Sequence, residues 1–315
     1  MLVRASAPAK LILCGEHAVV YGQPAIALPL HDICATATVQ TGPPGSGAVL
    51  FTPDLGPTPI STPDDPLLAL AATTLHLLGS YSAAVEMPDL HITLTSAIPI
   101  ASGMGSGAAV ATALVRALAA YGGHPLSAAQ VSELVYQSEQ RYHGTPSGID
   151  NAVIAYEQAI WFVRQLPAPR IEPIHISAPL HLVVGDTGVR SATRLPVGEV
   201  RRRWQTEAAT YEALFAEVGA VVAQVRAGLQ AGDTAQLGQL LNHNQRLLEQ
   251  LGVSSPELER LVAAARAAGA AGAKLSGGGW GGVMVALAPD EGTQAIIAAA
   301  LERAGAAQVL STRAA

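Results

Sequence analysis

The run Gly272-Ala-Lys-Leu-Ser-Gly-Gly-Gly-Trp-Gly-Gly282 constrains this chain more than any other segment. Glycine loses the most conformational entropy on folding and offers no side chain to pack, so such a run does not make ordinary helix or strand. Its use is close approach, of backbone to another loop or of backbone to a ligand. A second glycine-rich segment, Ser102-Gly103-Met104-Gly105-Ser106-Gly107-Ala108, lies between an alternating strand pattern at His91–Thr95 and an Ala-rich helical pattern over Ala108–Tyr121. Glycines there let several N–H groups turn toward one point, and the helix N-terminus behind them adds its dipole. That combination holds phosphate without side-chain charge. A plain tight strand-to-helix turn reads the same way at this level.

Composition bounds what surrounds these segments. The chain has 315 residues, 50% of them hydrophobic and 13% charged, which suits two modest domains or one large one and excludes wholesale disorder. Arg116 and Arg266 interrupt the apolar runs before they reach the ~18 residues a membrane span needs, so a soluble protein is expected, without membrane association. The segment Met1–Lys10 reads as an edge strand whose apolar part is too short for a signal peptide. A net charge of −6 argues against a nucleic-acid-coating surface, so an anionic ligand must be held by local cations and backbone dipoles. Cys14 and Cys34 are too few for a disulfide framework and read as buried small hydrophobes in a reducing cytoplasm. Lys and Arg together number 18, and only Lys10 and Lys274 are lysines. Both lie in segments singled out on other grounds, where a compact ammonium differs from a planar guanidinium.

The rest of the chain reads as α+β in two parts. Strands are expected at Val3–Cys14, Ala35–Gln40, Ala152–Val163, Ile174–Val184 and Val283–Ala288, and Ala25–Leu30 is an apolar run. Residues 42–66 read as an exposed loop or irregular hairpin. Helices are expected from Pro66 to Leu78, from a Ser127 cap to His143, and repeatedly between Gly198 and Gly269 with breaks at Gly232 and Gly252. Pro167-Ala-Pro169 marks the domain join by composition, giving 1–168 and 169–315.

Among phosphate-binding patterns, a Walker loop is absent because no Gly-Lys-Ser/Thr occurs. Gly103-x-Gly105-x-x-Ala108 matches a Rossmann turn only superficially, since residues 122–130 hold no answering acid. A further chemical segment is Glu139-Gln-Arg-Tyr-His-Gly-Thr-Pro-Ser-Gly-Ile-Asp150-Asn151. Two carboxylates, one late on a helix and one beyond a Pro-Ser-Gly turn, suit Mg²⁺ coordination by one and proton handling by the other. A helix cap at Asp150 and a solvated Glu139 are the structural alternative. The last segment is Lys10 with Gly15-Glu16-His17.

Taken in order, Ala7–Gly22, Pro99–Ala109, Gly144–Asn151 and Lys274–Gly282 resemble the motifs of the GHMP small-molecule kinases, and within them the branch acting on mevalonate. The resemblance runs from residue 7 to 282. It implies a two-domain fold, the N-terminal ATP-binding domain with a left-handed βαβ element and the C-terminal domain ferredoxin-like, and transfer of phosphate from ATP to the 5-hydroxyl of mevalonate. Another acceptor (phosphomevalonate, the mevalonate 3-hydroxyl or a sugar) and a non-catalytic ligand sensor are the competing readings. By resemblance, Pro99, Ala101, Ser102, Gly103, Met104, Gly105, Ser106, Gly107 and Ala108 bind ATP, with Gly277, Gly278, Gly279 and Gly281 buttressing that loop. Glu139 matches the Mg²⁺ ligand, Asp150 the base on the acceptor hydroxyl and Lys10 the cation beside it. Glu16, His17, Ser147 and Thr193 fall at substrate contacts. The family usually carries a second serine where this chain has Gly107, so Ser106 or a water takes that metal position, or the metal leans on Glu139. A homodimer is the assembly the family suggests.

Overall fold

The computed structural model describes residues 1–53, 65–79, 88–100, 102–143, 147–191 and 193–314, the side chains of 141–143 excepted. The class is α+β, as expected. The chain gathers into two compact units that alternate along the sequence. Met1–Ala9, His31–Ile100 and Gly105–Glu157 make the first; Lys10–Leu30, Ala101–Met104 and Gln158–Ala315 make the second. Two long strands, β1 (Leu2–Cys14) and β2 (Pro24–Thr41), pair with each other and contribute residues to both units.

In the first unit, Ala35–Thr41 of β2 runs antiparallel to β4 (Leu90–Ser96), and β3 (Ala48–Phe51) lies parallel to β4. Because side chains alternate faces along a strand, Ala35, Ala37 and Val39 are buried while Thr36, Thr38 and Gln40 are half-buried. Helix α1 (Pro66–Leu77) joins β3 to β4, completing a parallel βαβ unit. Its start is fixed chemically: Asp65 accepts hydrogen bonds from Leu67 N–H at 2.9 Å and Leu68 N–H at 3.2 Å, with Pro66 in the first turn. Helix α2 (Ser106–Tyr121) packs against α1, β4, α3 (Ala128–His143) and α4 (Ile149–Tyr156). Its Ala108, Ala109, Leu114, Val115 and Leu118 are buried, as a helix with neighbours on several sides requires. The expected Ser127 cap forms. Its hydroxyl accepts from Gln130 N–H while Gln130 Oε1 accepts from Ser127 N–H, a reciprocal capping box. Val131, Leu134 and Val135 of α3 share the buried face.

In the second unit, Pro24–Ala27 of β2 pairs with β5 (Ile160–Val163), and β5 with β6 (Arg170–Pro173). A four-stranded antiparallel sheet has the order β10-β7-β9-β8, from Gln308–Ala314, Leu180–Asp186, Val283–Ala288 and Gly272–Ser276. Every residue of β8 and β9 is buried, which marks strands covered on both faces. Helix α7 (Thr234–Gln250) packs on β8, α8 (Pro256–Ala267) on β8 and β9, and α9 (Glu291–Arg303) on β7, β9 and β10. Helices α5 (Arg194–Thr206) and α6 (Ala208–Ala231) precede them. Asp233, Ser255 and Asp290 cap α7, α8 and α9 by accepting backbone N–H bonds.

Several expectations need correction. Ala152–Tyr156 is helix, not strand: it belongs to α4, and only Ile160–Val163 is extended. A short apolar run reads alike as a buried strand or a buried helix, and Gly148 in the left-handed region, followed by Asp150 in the first turn, starts a helix there. Ile174–Pro179 lies outside the strands, so the expected Ile174–Val184 strand reduces to β7 from Leu180, immediately after Pro179. Within 42–66, the segment read as loop contains β3. Cys14 is buried as expected, and burial pushes its thiol pKa well up; Cys34 is only half-buried. Pro167–Pro169 lies inside the second unit, in the connection between the paired strands β5 and β6.

Candidate active site

Two of the four segments singled out in sequence, with Ser102–Met104 of the glycine turn, meet in the second unit. Within β1, buried Lys10 donates its backbone N–H to the carbonyl of Met104 in the glycine turn, at 3.0 Å. Two residues on, Ile12 and Ser276 are bonded reciprocally: Ile12 N–H donates to Ser276 Oγ at 3.2 Å, and that hydroxyl donates to Ile12 O at 2.9 Å. The turn and the long glycine run lie backbone to backbone. A Cβ on Gly277 would stand 3.7 Å from Gly103 O, and one on Gly282 would stand 3.0 Å from Ser102 O. The close approach expected of this run is therefore to the other glycine segment.

The run is pinned from its far side as well. A Cβ on Gly279 would fall 2.0 Å from Val253 O, and the residue's φ of +81° lies in the left-handed region. Trp280, at φ 55°, donates its backbone N–H to Val253 O and its indole N–H to Gly252 O, both at 2.9 Å. An indole N–H finds a partner when its ring packs inward, and here that bond ties the glycine run to the turn after α7. The tryptophan is a clip.

The Gly15-Glu16-His17 turn belongs to the same cluster. Lys274 and Glu16, 0% and 1% exposed, form a buried ion pair, and Lys274 Nζ also donates to Leu275 O. The second carboxylate oxygen of Glu16 accepts from Asn244 Nδ2 at 3.2 Å. His17 takes a positive φ of 60°, costly for a side-chain-bearing residue, and its Nε2 bonds Gly278 O at 2.9 Å. Burial holds the imidazole pKa down to about 4 against a modest upward pull from the Gly278 carbonyl. A carbonyl only accepts, so Nε2 carries the hydrogen and the buried Nδ1, which has no partner among the described residues, is a bare acceptor. The short 3₁₀ helix after His17, Ala18–Tyr21, is held by Tyr21 stacking on Phe215 at 4.0 Å between ring centroids. Exposed Thr193 reaches the same place, its Cγ2 3.0 Å from where a Gly278 Cβ would be.

Sequence reasoning missed Asn244 and Gln245. Both are fully buried on α7; Gln245 Oε1 accepts from Leu275 N–H at 2.8 Å. Their signal is a polar residue on an apolar stripe, since Asn244 falls four residues after Leu240 and seven after Leu237.

The first unit carries the remaining residues. Gly105 at φ 76° caps α2 without a side-chain bond, and Ser106, Gly107 and Ala108 form the first turn of that helix. N–H groups there have no intrahelical acceptor, the feature that lets a helix start hold an anion. Gly107 is exposed, lacks a positive φ and, among the described residues, has nothing within 4 Å of a built Cβ. Glu139 is half-buried on α3, and half-buried Asp150 sits in the first turn of α4. Beside Asp150, Asn151 Nδ2 donates to the backbone and hydroxyl oxygens of Ser132 at 3.0 and 2.9 Å. Ser132 and Glu139 are seven residues apart and so share a face of α3, the face to which α4 is tied. Ser147 Oγ accepts from Ile149 N–H at 3.4 Å at the entry to α4. Pro99 is half-buried at the end of the strand connection. Ala101 and Gly144–Pro146 lie outside the described residues.

Residues 68–158 match the GHMP kinases N terminal domain, and residues 225–307 match GHMP kinases C terminal. The chain belongs to the GHMP kinases. A mevalonate kinase of Pyrococcus horikoshii is 35% identical over 322 residues, covering 96% of this chain and 93% of its own. The crystal structure of L. major mevalonate kinase in complex with R-mevalonate superposes with a TM-score of 0.86 at 30% identity, over 99% of this chain and 95% of that one. Streptococcus pneumoniae phosphomevalonate kinase, in complex with phosphomevalonate and AMPPNP, shares the fold at a TM-score of 0.82 and 17% identity, over 98% of this chain and 99% of that one.

Proposed function

We propose that this chain is an ATP-dependent mevalonate kinase, transferring the γ-phosphate of ATP to the 5-hydroxyl of (R)-mevalonate. The observation that carries the reading is the bond from Lys10 N–H to Met104 O, which ties the backbone of that residue to the glycine turn, in a chain 35% identical along nearly its whole length to a mevalonate kinase. The residues fit both expected ligands. Left-handed Gly103 and Gly105 and the uncapped start of α2 suit the triphosphate. Glu139 and Ser106 offer the hard oxygen donors that Mg²⁺ takes, alongside phosphate oxygens and waters. Bound Mg-ATP supplies the phosphoryl group and the cation that neutralises its charge.

The protein's share is alignment and charge. Asp150 accepts or orients the proton of the 5-hydroxyl, and Lys10 stabilises the nascent alkoxide. Glu16, His17, Ser147 and Thr193 recognise mevalonate, directly or through one another. The protein works as a cytoplasmic homodimer. Among the described residues, no helix is long and apolar enough to cross a membrane.

Phosphomevalonate, the runner-up acceptor, draws on Arg201-Arg202-Arg203 as a phosphate receiver. Two of those guanidiniums are already bonded to Glu199: Arg202 Nε at 2.8 Å and Arg203 Nε at 2.7 Å. That favours mevalonate. An ADP-release assay with Mg-ATP and mevalonate, phosphomevalonate or galactose decides the acceptor: release with mevalonate is expected, and release with phosphomevalonate alone overturns the proposal.

A further inference from the structure

Resemblance places Glu16 at a substrate contact, yet both of its carboxylate oxygens are occupied inside the protein, by Lys274 and by Asn244. A fully buried ion pair is a poor source of stability, because taking two charges out of water consumes most of what their attraction returns. Its placement is more informative. Lys274 lies on β8, whose next residues enter the run at Gly277–Gly278, and Glu16 directly precedes His17. The pair therefore clamps the two segments that meet in the bond between His17 Nε2 and Gly278 O. It also holds the chain beside His17, whose positive φ needs outside restraint.

We infer that Glu16 and Lys274 are positioning residues: their pair fixes His17 in the Nε2–H form against Gly278 and leaves the Nδ1 lone pair to accept a hydroxyl hydrogen of the acceptor alcohol. Glu16 then acts through His17 without touching substrate. Lys274, buried beneath the glycine run, sets acceptor affinity. The second of the chain's two lysines thereby has a task to which guanidinium is ill suited, since a compact ammonium fits this enclosed space. The inference rests on the mevalonate reading for its substrate, and on geometry alone for its tautomer.

The test compares Glu16→Gln, Lys274→Met and the double variant with the wild-type protein, using mevalonate and ATP. Each single variant is expected to raise the KM for mevalonate by about tenfold or more, with kcat within about threefold and the KM for ATP within about twofold. The double variant is expected to be no worse than the worse single one, because both changes remove one device. A folded double variant with wild-type KM for mevalonate overturns the inference. So do additive losses in which Lys274→Met is near wild type, since Glu16 would then touch substrate itself. Should the variants fail to fold, ¹⁵N-imidazole spectra of the wild-type protein decide. A single Nε2–H tautomer of His17 at neutral pH is expected, and an Nδ1–H or mixed ring overturns the inference. Absence of mevalonate turnover in the wild type would strike the proposed function instead, and leave the tautomer measurement standing.

Discussion

Asp150 is the residue on which the proposed chemistry turns, and its surroundings make it separable from the fold. It is half-buried in the first turn of α4, while the neighbouring Asn151 makes the bonds that anchor that turn to Ser132. Asp150→Asn keeps the shape and removes the proton acceptor. Turnover is expected to fall by about 10²–10⁴ with ATP affinity and melting temperature retained. Equal loss of ATP binding, measured by calorimetry, would make the residue structural.

His17 gives a pH prediction. The unfolded chain binds its proton near pH 6.5 and the folded chain near pH 4, so stability contributed by the neutral ring is present above pH 6.5 and lost as pH falls toward 4. At pH 5 the loss is on the order of 2 kcal/mol. Urea unfolding of the wild type and of His17→Asn at pH 7 and pH 5 isolates it; an equal pH response in both refutes the assignment. The motif residues themselves were legible in sequence, because glycine runs and unusual lysines stand out. Their partners were not. Asn244 reads as one more polar helix residue until the fold brings it to Glu16.

At the level of elements, the two glycine segments differ in why they are glycine. Gly279 has both a left-handed backbone and a carbonyl where a side chain would go. Gly279→Ala is expected to cost about 2–4 kcal/mol, from backbone strain and overpacking together. Gly107 has neither constraint, so Gly107→Ser, which restores the serine usual in the family, is expected to fold normally and gain up to about 0.5 kcal/mol from helix propensity. Thermal and urea unfolding check both; a destabilised Gly107→Ser would mean that the first turn of α2 is tighter than its geometry indicates. Elements with chemical punctuation were readable, as the Pro66 start of α1 and the Ser127 cap of α3 illustrate. Ala152–Tyr156 was not, because five small or apolar residues satisfy strand and helix alike until α3 packs against them.

At the scale of the whole molecule, the α+β class follows from the order of patterns, but the interleaving of the two compact units does not. Composition marks a Pro-rich join, whereas unit membership depends on contacts far apart in sequence. The second unit takes Lys10–Leu30 and Ala101–Met104 from the N-terminal half. A fragment of residues 169–315 therefore lacks the strand that pairs with β5, lacks β5 itself, and lacks Glu16. Lys274 would remain in β8 between fully buried neighbours with its charge unanswered. Removing one partner of a buried pair costs about 3–5 kcal/mol, a large share of the stability of a domain this size. The fragment is expected to show no cooperative unfolding transition by circular dichroism, and to bind a hydrophobic dye that the full chain does not. Lys274→Met in the same fragment removes the unpaired charge and should recover part of the helical signal. A cooperative transition in the unmodified fragment would show instead that the four-stranded sheet and its helices form a core sufficient without the borrowed strands, and that the ion pair is dispensable to it.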